Sequence, residues 1–340
     1  MKVVLGLSGG VDSIASAIIL KNKGYEVIAH YFDVVNDGDK DAEERARQAA
    51  FKLEIPYVYK NLSKEFDENI IKYFCNEYSL GRTPIPCIFC NPLIKWKVLY
   101  DYAKEIGAEY IASGHYAKVV KDGDIFYVSR AANLEKDQSY MLARLPQNIL
   151  SMMLLPLGDI ESKDKTREIA KALDFDFGSQ KESQDICFIK HSYVEFLEEQ
   201  EIETKEGNYV DTSGLTLAPT GKGYAAFTIG QRKGLGLSMG VPCYVTKIDS
   251  ETGNITVSTN EQDLYKEQVL IDNIFWTGPR LDGEYFAKLR YAAKMAKCQV
   301  INKGQYIILS FDEAQRAPAP GQAAVIYNNE DKVVGCGIIC

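Results

Sequence analysis

The sequence predicts an α/β protein: an amino-terminal Rossmann-like parallel sheet, then a small, mostly β central domain and a carboxyl-terminal β-barrel or sandwich. Three observations carry that prediction. Apolar strand-like runs alternate with segments of helical periodicity over the first 200 residues, a βαβα order that implies a parallel sheet with helices on both faces. A glycine turn, GLSGGVDS at residues 6–13, joins the first strand to the first helix. From about residue 205 the periodicity shortens to β-like runs punctuated by the turn signals VDTSG, DSETGN, NKGQ and NNED.

Each element has a local reason. Val3 to Leu7 is an apolar run, and from Asp12 to Lys23 the residues Ile14, Ala17 and Ile18 fall on one helical stripe that Gly24 stops. Glu26 to Phe32 and Pro56 to Lys60 read as strands, with helices over Asp41 to Leu53 and Phe66 to Tyr78. A helix from Pro92 to Ile106 follows the segment GRTPIPCIFC, and Ala108 to Ser113 reads as the next strand. KDKTREIAKAL and HSYVEFLEEQ add helix between residues 160 and 200. Val245 to Thr259 reads as a hairpin over DSETGN, and residues 268–340 as five or six strands of a small barrel or sandwich. Domain boundaries are therefore expected near 200 and 267, dividing the chain into 1–200, 201–267 and 268–340.

A chain of 340 residues is long for one core and buries about 75% of its unfolded surface, enough to enclose an active site. The net charge of −8 argues against a dedicated nucleic-acid coat but is compatible with a local basic surface. No apolar run reaches the roughly 18 residues that a membrane span needs, and the start carries no basic segment or small-residue cleavage site. A cytoplasmic protein with no membrane partner is expected. In a reducing compartment the eight cysteines (Cys75, Cys87, Cys90, Cys187, Cys243, Cys298, Cys336 and Cys340) point to metal or catalytic chemistry more than to structural disulfides.

GLSGGVDS lies where a nucleotide's phosphates are usually held, yet it has no lysine. Its spacing matches neither G-x-G-x-x-G nor G-x-x-x-x-G-K-[ST]. The setting is still that of a phosphate site: glycines that permit close backbone approach, then a helix N-terminus with free N–H groups. Ser8 and Ser13 add hydroxyl donors, and Asp12 is a candidate for holding Mg²⁺ against the phosphates. A plain strand-to-helix turn is the other reading of the same residues.

Two cysteine segments lie downstream. GRTPIPCIFCNPLIKW places Cys87 and Cys90 in a C-x-x-C just before a helix whose N-terminus is expected to lower a thiol pKa. KESQDICFIK carries Cys187 among Ile186, Phe188 and Ile189. Alone, the C-x-x-C reads as half a zinc site, a redox pair or two incidental thiols, and Cys187 equally as a buried strand cysteine. Without an H-x(3–5)-H partner, a zinc site has to recruit distant residues. His115 follows Gly114 at a strand end, where α/β sheets put ligand sites, while His30 and His191 match nothing and read as structural. Lys95, Lys97, Arg232 and Lys233 are candidates for RNA phosphates.

The pattern SGGVDS resembles the pyrophosphate-binding loop of the ATP pyrophosphatases, which adenylate carbonyl oxygens. This resemblance accounts for the missing lysine. A P-loop lysine serves transfer of the terminal phosphoryl group, whereas cleavage between the first and second phosphates asks the loop to hold pyrophosphate as leaving group. The stretches SGHYAK (113–118), KDQSYML (136–142), LLPLG (154–158), KESQDICFI (181–189), FTIGQRKGLG (227–236), LRY (289–291) and PGQAAVIY (320–327), with GRTPIPCIFCN, further resemble motifs of the tRNA-specific 2-thiouridylases. These enzymes replace the C2 oxygen of the wobble uridine in lysine, glutamate and glutamine tRNAs with sulfur.

The resemblance runs from Lys2 to Ile339 and implies a set of roles. ATP falls to Gly6, Leu7, Ser8, Gly9, Gly10, Val11, Asp12, Ser13, Phe32 and Gly114; Cys90 is the nucleophile and Cys187 carries the persulfide. tRNA contacts fall to Ile85, Pro86 and Cys87 of a base-contacting loop, to His115, Lys136, Asp137 and Gln138, and to Arg290, Tyr291 and Gln322 in the last domain. Implied partners are tRNA, ATP, Mg²⁺ and a persulfide or sulfide donor protein.

Three sulfur routes fit these residues. Cys90 attacks the inner sulfur of a Cys187 persulfide, releasing the outer one and leaving a Cys90–Cys187 disulfide for reduction. Alternatively the persulfide attacks C2 directly and Cys90 resolves the adduct. In the third, Cys87, Cys90 and Cys187 hold a [4Fe–4S] cluster by three thiolates, with one iron open for sulfide. Two rival functions share parts of the pattern: an ATP pyrophosphatase that delivers ammonia, and a tRNA-binding protein with structural zinc and no turnover. The sequence departs from the family at Ile85, where asparagine is usual, at Ile14, where a small residue is usual, and at Gly221, where histidine is common. After the second strand it is also shorter by roughly a dozen residues.

Overall fold

The structure, a computed structural model, describes residues 1–35, 40–171, 186–280 and 282–340. The first sheet is built from β1 (Lys2–Gly6), β2 (Glu26–Asp33), β3 (Tyr57–Asn61), β4 (Tyr110–Ala112) and, after an antiparallel hairpin of β5 (Lys118–Asp122) and β6 (Ile125–Ser129), β7 (Met153–Leu154). All its pairings are parallel, in the order β3-β2-β1-β4-β7. Alternate residues of β1 face opposite ways. Val3 and Leu5 pack with Ile14, Ala17 and Ile18 of α1 (Val11–Asn22) and with Ala46, Ala49 and Ala50 of α2 (Lys40–Lys52). Val4 packs with Val98, Leu99 and Ala103 of the helix Trp96–Glu105. A strand covered on both faces has to be apolar throughout, which is why KVVLG does not alternate.

The chain winds to one side of β1 through β2 and β3, and to the other through β4 and β7. The C-terminal ends of β1 and β4 therefore flank the point where strand order reverses, the usual ligand crevice of such sheets. The glycine turn leaves β1 there, and Ser113, Gly114 and His115 leave β4 there.

Two helices differ from the expected spans. The helix expected over Phe66 to Tyr78 starts at Ser63 and contains a π turn, Asp67–Ile71, before Lys72–Ser79. The helix expected from Pro92 already begins at Cys87: a turn Cys87–Cys90, a π turn Asn91–Lys95 and then Trp96–Glu105. Pro92 has no amide to bond back along the helix and its ring crowds the preceding turn, so the helix widens there instead of starting there. The C-x-x-C thus lies within helix, not ahead of it.

The central region is a four-stranded sheet of β8 (Glu206–Val210), β9 (Thr216–Gly223), β10 (Tyr244–Ile248) and β11 (Ile255–Ser258), ordered β10-β11-β8-β9. The expected DSETGN hairpin is the β10–β11 pair, with Gly253 at φ +77° in its turn. The last region closes into a barrel of β12 (Tyr265–Trp276), β13 (Gly283–Lys288), β14 (Ala296–Asn302), β15 (Ile307–Arg316), β16 (Ala323–Tyr327) and β17 (Val333–Ile339). Its order is β12-β15-β14-β13-β16-β17, around Val269, Ile271, Val300, Leu309 and Ile326.

His30 in β2 is 1% exposed, packs edge-on to Tyr102 and has no hydrogen-bond partner at Nδ1 among the described residues. Burial, and then the Lys60 cation, lower its pKa to about 4. Between pH 6.5 and 4 the unfolded chain therefore binds a proton that the native chain refuses, and stability falls as pH drops through that window. On going from pH 6.5 to 5, the wild type should lose about 1.5 kcal/mol more than His30→Phe. Urea midpoints at the two pH values check this; parallel losses would refute it.

Candidate functional site

The glycine turn is shaped by contacts at two glycines. Gly9 has φ +74°, and a Cβ there would lie 2.8 Å from the Ala42 carbonyl oxygen and 2.9 Å from the Ala46 nitrogen of α2. Gly114 leans on the turn from β4: its Cβ would lie 2.8 Å from the Asp12 carbonyl carbon and 2.9 Å from the Ser13 nitrogen. Gly10, extended at φ −85° and ψ 160°, starts α1 without a side-chain cap, so the N–H groups of the first turn keep their affinity for an anion. Ser13 Oγ donates to the Gly10 carbonyl (2.9 Å) and accepts from the Ser8 N–H (3.2 Å), bracing the turn. Leu7 is buried and Val11 packs against the same core, so both serve as scaffold. Phe32 closes the β2 side, its ring 3.6 Å from where a Gly6 Cβ would sit.

The lysine missing from the turn arrives from elsewhere. Lys163, at the start of the helix Lys163–Lys171, places Nζ 2.7 Å from each carboxylate oxygen of Asp12. Tyr116 Oη donates to the same carboxylate (3.0 Å) and lies 2.7 Å from Thr166 Oγ1. Nothing in KDKTREIAKAL marks this lysine in the sequence, because only packing of that helix against α1 brings it to Asp12.

The thiols form the second half of the site. Cys90 is 4% exposed in the cluster that holds Ile85 and Ile88, Cys87 is half-buried, and Cys187 is exposed in a turn, not buried in a strand. Lys95, carried round by the π turn, lies within electrostatic reach of Cys90, Cys187, Cys87 and His115. Burial pushes the Cys87 and Cys90 thiols up, Cys90 to about 12, while Lys95 pulls both back. The expected lowering by a helix N-terminus is therefore reversed, because withdrawing a thiolate from water outweighs half a charge at one helix end. On Lys95 burial acts against the ammonium, while negative charge on Cys90, Cys187 and Cys87 acts for it, and the net shift is upward. His115 Nδ1 is 2.7 Å from Ser113 Oγ and the ring lies 6.0 Å from Trp96; burial, then Lys95, lowers its pKa to about 3 and keeps it neutral.

Among the described residues no three His, Cys, Asp or Glu side chains converge so as to hold a metal ion. In this arrangement Cys87, Cys90 and Cys187 are not gathered into a three-thiolate set.

Comparison with known proteins follows this layout. Family models described as tRNA methyl transferase HUP domain, tRNA methyl transferase PRC-barrel domain and aminomethyltransferase beta-barrel domain match residues 1–191, 194–259 and 266–339. The tRNA-specific 2-thiouridylase MnmA of Clostridium perfringens is 41% identical over 357 residues, covering 99% of this chain and 98% of that protein. The tRNA-specific 2-thiouridylase MnmA 2 of Clostridium botulinum (strain Loch Maree) is 40% identical over 347 residues, with the same coverage. The chain belongs to the tRNA-specific 2-thiouridylase family.

Against the roles expected of a 2-thiouridylase, the remaining residues take varied positions. Ile85 and Pro86 are buried. Asp137 is buried and accepts from the N–H groups of Ala131 (3.0 Å) and Ser139 (3.2 Å), with Arg130 at 3.6 Å. Gln138 Oε1 accepts from the Tyr116 N–H (2.9 Å), and Lys136 is half-buried. Arg290 and Gln322 both bond to backbone carbonyls. Tyr291 is 37% exposed, with the Lys288 ammonium 5.4 Å from its ring centre. Arg232 and Lys233 are exposed, and Lys97 pairs with Asp101 (2.5 Å). Gly221 has φ +62°, a conformation in which glycine replaces the 2-thiouridylase histidine without strain. Residues 181–185 of KESQDICFI, and part of the short segment after β2, lie outside the described residues. Lys163, Tyr116 and Trp96 are additions that the sequence reading missed.

Proposed function

We propose that this protein uses ATP to exchange the C2 oxygen of the tRNA wobble uridine for sulfur. The observation that carries the reading is the adjacency of Gly114, which walls the glycine turn, and His115, which shares Lys95 with the thiols. One strand end thus joins the nucleotide half of the site to the sulfur half.

In this scheme the turn Gly6 to Ser13, with Gly114, holds the ATP phosphates and Phe32 packs beside the adenosine. The uridine O2 attacks the α-phosphorus, the bond to the β-phosphate breaks, and pyrophosphate remains on the turn. Asp12 supplies the hard oxygen that suits a phosphate-borne Mg²⁺, which would neutralise the leaving charge. Exposed Cys187 attacks the outer sulfur of a persulfide on a donor protein, taking that sulfur as its own persulfide and releasing the donor's thiol. Cys90 then attacks the inner sulfur of the persulfide, whose outer sulfur bonds to C2 as AMP departs; the Cys90–Cys187 disulfide that remains is reduced by an external thiol. Tyr291, Lys136, Arg232 and Lys233 are candidates for the RNA face, Ile85, Pro86, Cys87 and His115 line the base side, and Asp137 and Gln138 support them from within. The scheme takes division near residues 200 and 267, and a cytoplasmic setting. No helix among the described residues is long and apolar enough to cross a membrane.

The test is anaerobic incubation of unmodified tRNA with the protein, ATP, Mg²⁺ and a small-molecule persulfide, followed by nucleoside mass spectrometry and pyrophosphate assay. Wobble 2-thiouridine with matching pyrophosphate is the expected result. Pyrophosphate without sulfur in the product would turn the assignment toward amide transfer, and neither signal toward a binding protein.

A further inference from the structure

The loop Thr83–Pro86 leads directly into the C-x-x-C, and the Pro86 carbonyl accepts from the Cys90 N–H (2.9 Å). Because two of its four residues are proline, the loop has few amide donors with which to anchor itself, and its carbonyls must find donors elsewhere. They find them on the barrel. In the corner between β15 and β16, Gln322 Nε2 donates to the carbonyls of Thr83 (2.9 Å) and Pro84 (3.1 Å), and the Thr83 N–H donates to the Pro320 carbonyl (2.7 Å). Gly321, at φ +88°, lies flat against Thr83, where a Cβ would come within 3.0 Å of its backbone nitrogen, carbon and oxygen. The corner is itself tied down: Arg290 Nη2 donates to the carbonyls of Ala317 (2.8 Å) and of Ile229 (3.0 Å), which lies in the connection between β9 and β10.

We propose that Arg290, Gly321 and Gln322 form a clamp through which the barrel holds the loop Thr83–Pro86 and thereby sets the positions of Cys87 and Cys90. Arg290 and Gln322 then act as positioning residues through backbone carbonyls. A primary amide suits the role because its two N–H groups match two carbonyls, whereas a carboxylate of the same size would face both with lone pairs. The proposal rests on the thiolation reading for its meaning, but its first readout needs neither tRNA nor turnover.

That readout is pulse alkylation of the full chain by iodoacetamide without tRNA, with peptide mass spectrometry, for wild type, Gln322→Ala and Gln322→Glu. The expected result is an increase of about tenfold in Cys90 labelling, the scale of a lost buried hydrogen bond. Cys336, fully buried in β17, should label as slowly as before. With tRNA, kcat should fall while KM for tRNA stays within about twofold. Unchanged Cys90 labelling with a raised KM for tRNA would overturn the clamp in favour of direct RNA contact. Cys336 labelling that rises with Cys90 would overturn it in favour of a general stabilising role.

Discussion

Cys90→Ala should stop 2-thiouridine formation, by a factor of at least about 10³, while ATP is still cleaved to pyrophosphate in the presence of tRNA. In the proposed scheme the buried thiol is the group that breaks the Cys187 persulfide, while ATP is held on the glycine turn walled by Gly114. Alanine is the informative replacement, because a serine hydroxyl in that apolar pocket would add its own desolvation cost. Cys187→Ala should give the same loss, and the double variant should be no worse than either single one, since groups that act in one step are not additive. Pyrophosphate assay and nucleoside mass spectrometry on the same reactions separate activation from sulfur transfer. A Cys90→Ala variant that still thiolates would remove Cys90 from the chemistry and leave the C-x-x-C as packing.

The second large effect is expected at Gly9. Alanine there must hold φ near +74° with its methyl 2.8 Å from the Ala42 carbonyl oxygen, so the turn has to pull away from α2 and carry its N–H groups out of register. ATP affinity should fall at least about 10²-fold, measured by calorimetry without tRNA. Gly24→Ala is the control: it has φ +82° but nothing within 4 Å, so it strains the backbone by about 1 kcal/mol and should leave ATP binding intact. If Gly9→Ala binds ATP like the wild type, the phosphates do not sit on this turn.

How much of this could be read beforehand depended on how local each feature is. The run KVVLG, the Gly24 stop and the DSETGN hairpin are signalled within a few residues, and all three appear as expected. The β5–β6 hairpin, with Gly123 at φ +57° in its turn, is equally local and is an element that the sequence analysis does not assign. The π turn at Asn91–Lys95 is not legible in this way, because Pro92 reads as a helix start whereas the helix already begun at Cys87 widens around it.

What the sequence by itself determined is the set of reactive groups and the turn that would hold phosphate: three glycines, two serines and one aspartate in GLSGGVDS, and thiols at Cys87, Cys90 and Cys187. Their types and spacings limit the chemistry because each acts through its own bonds. Only the tertiary structure decided their surroundings. It buried Cys90 while leaving Cys187 exposed, brought Lys163 from a distant helix onto Asp12, and gave Arg290 and Gln322 backbone partners. The physical reason is that burial and charge pairing depend on which elements pack together, and long-range packing leaves no periodic mark on the residues it joins.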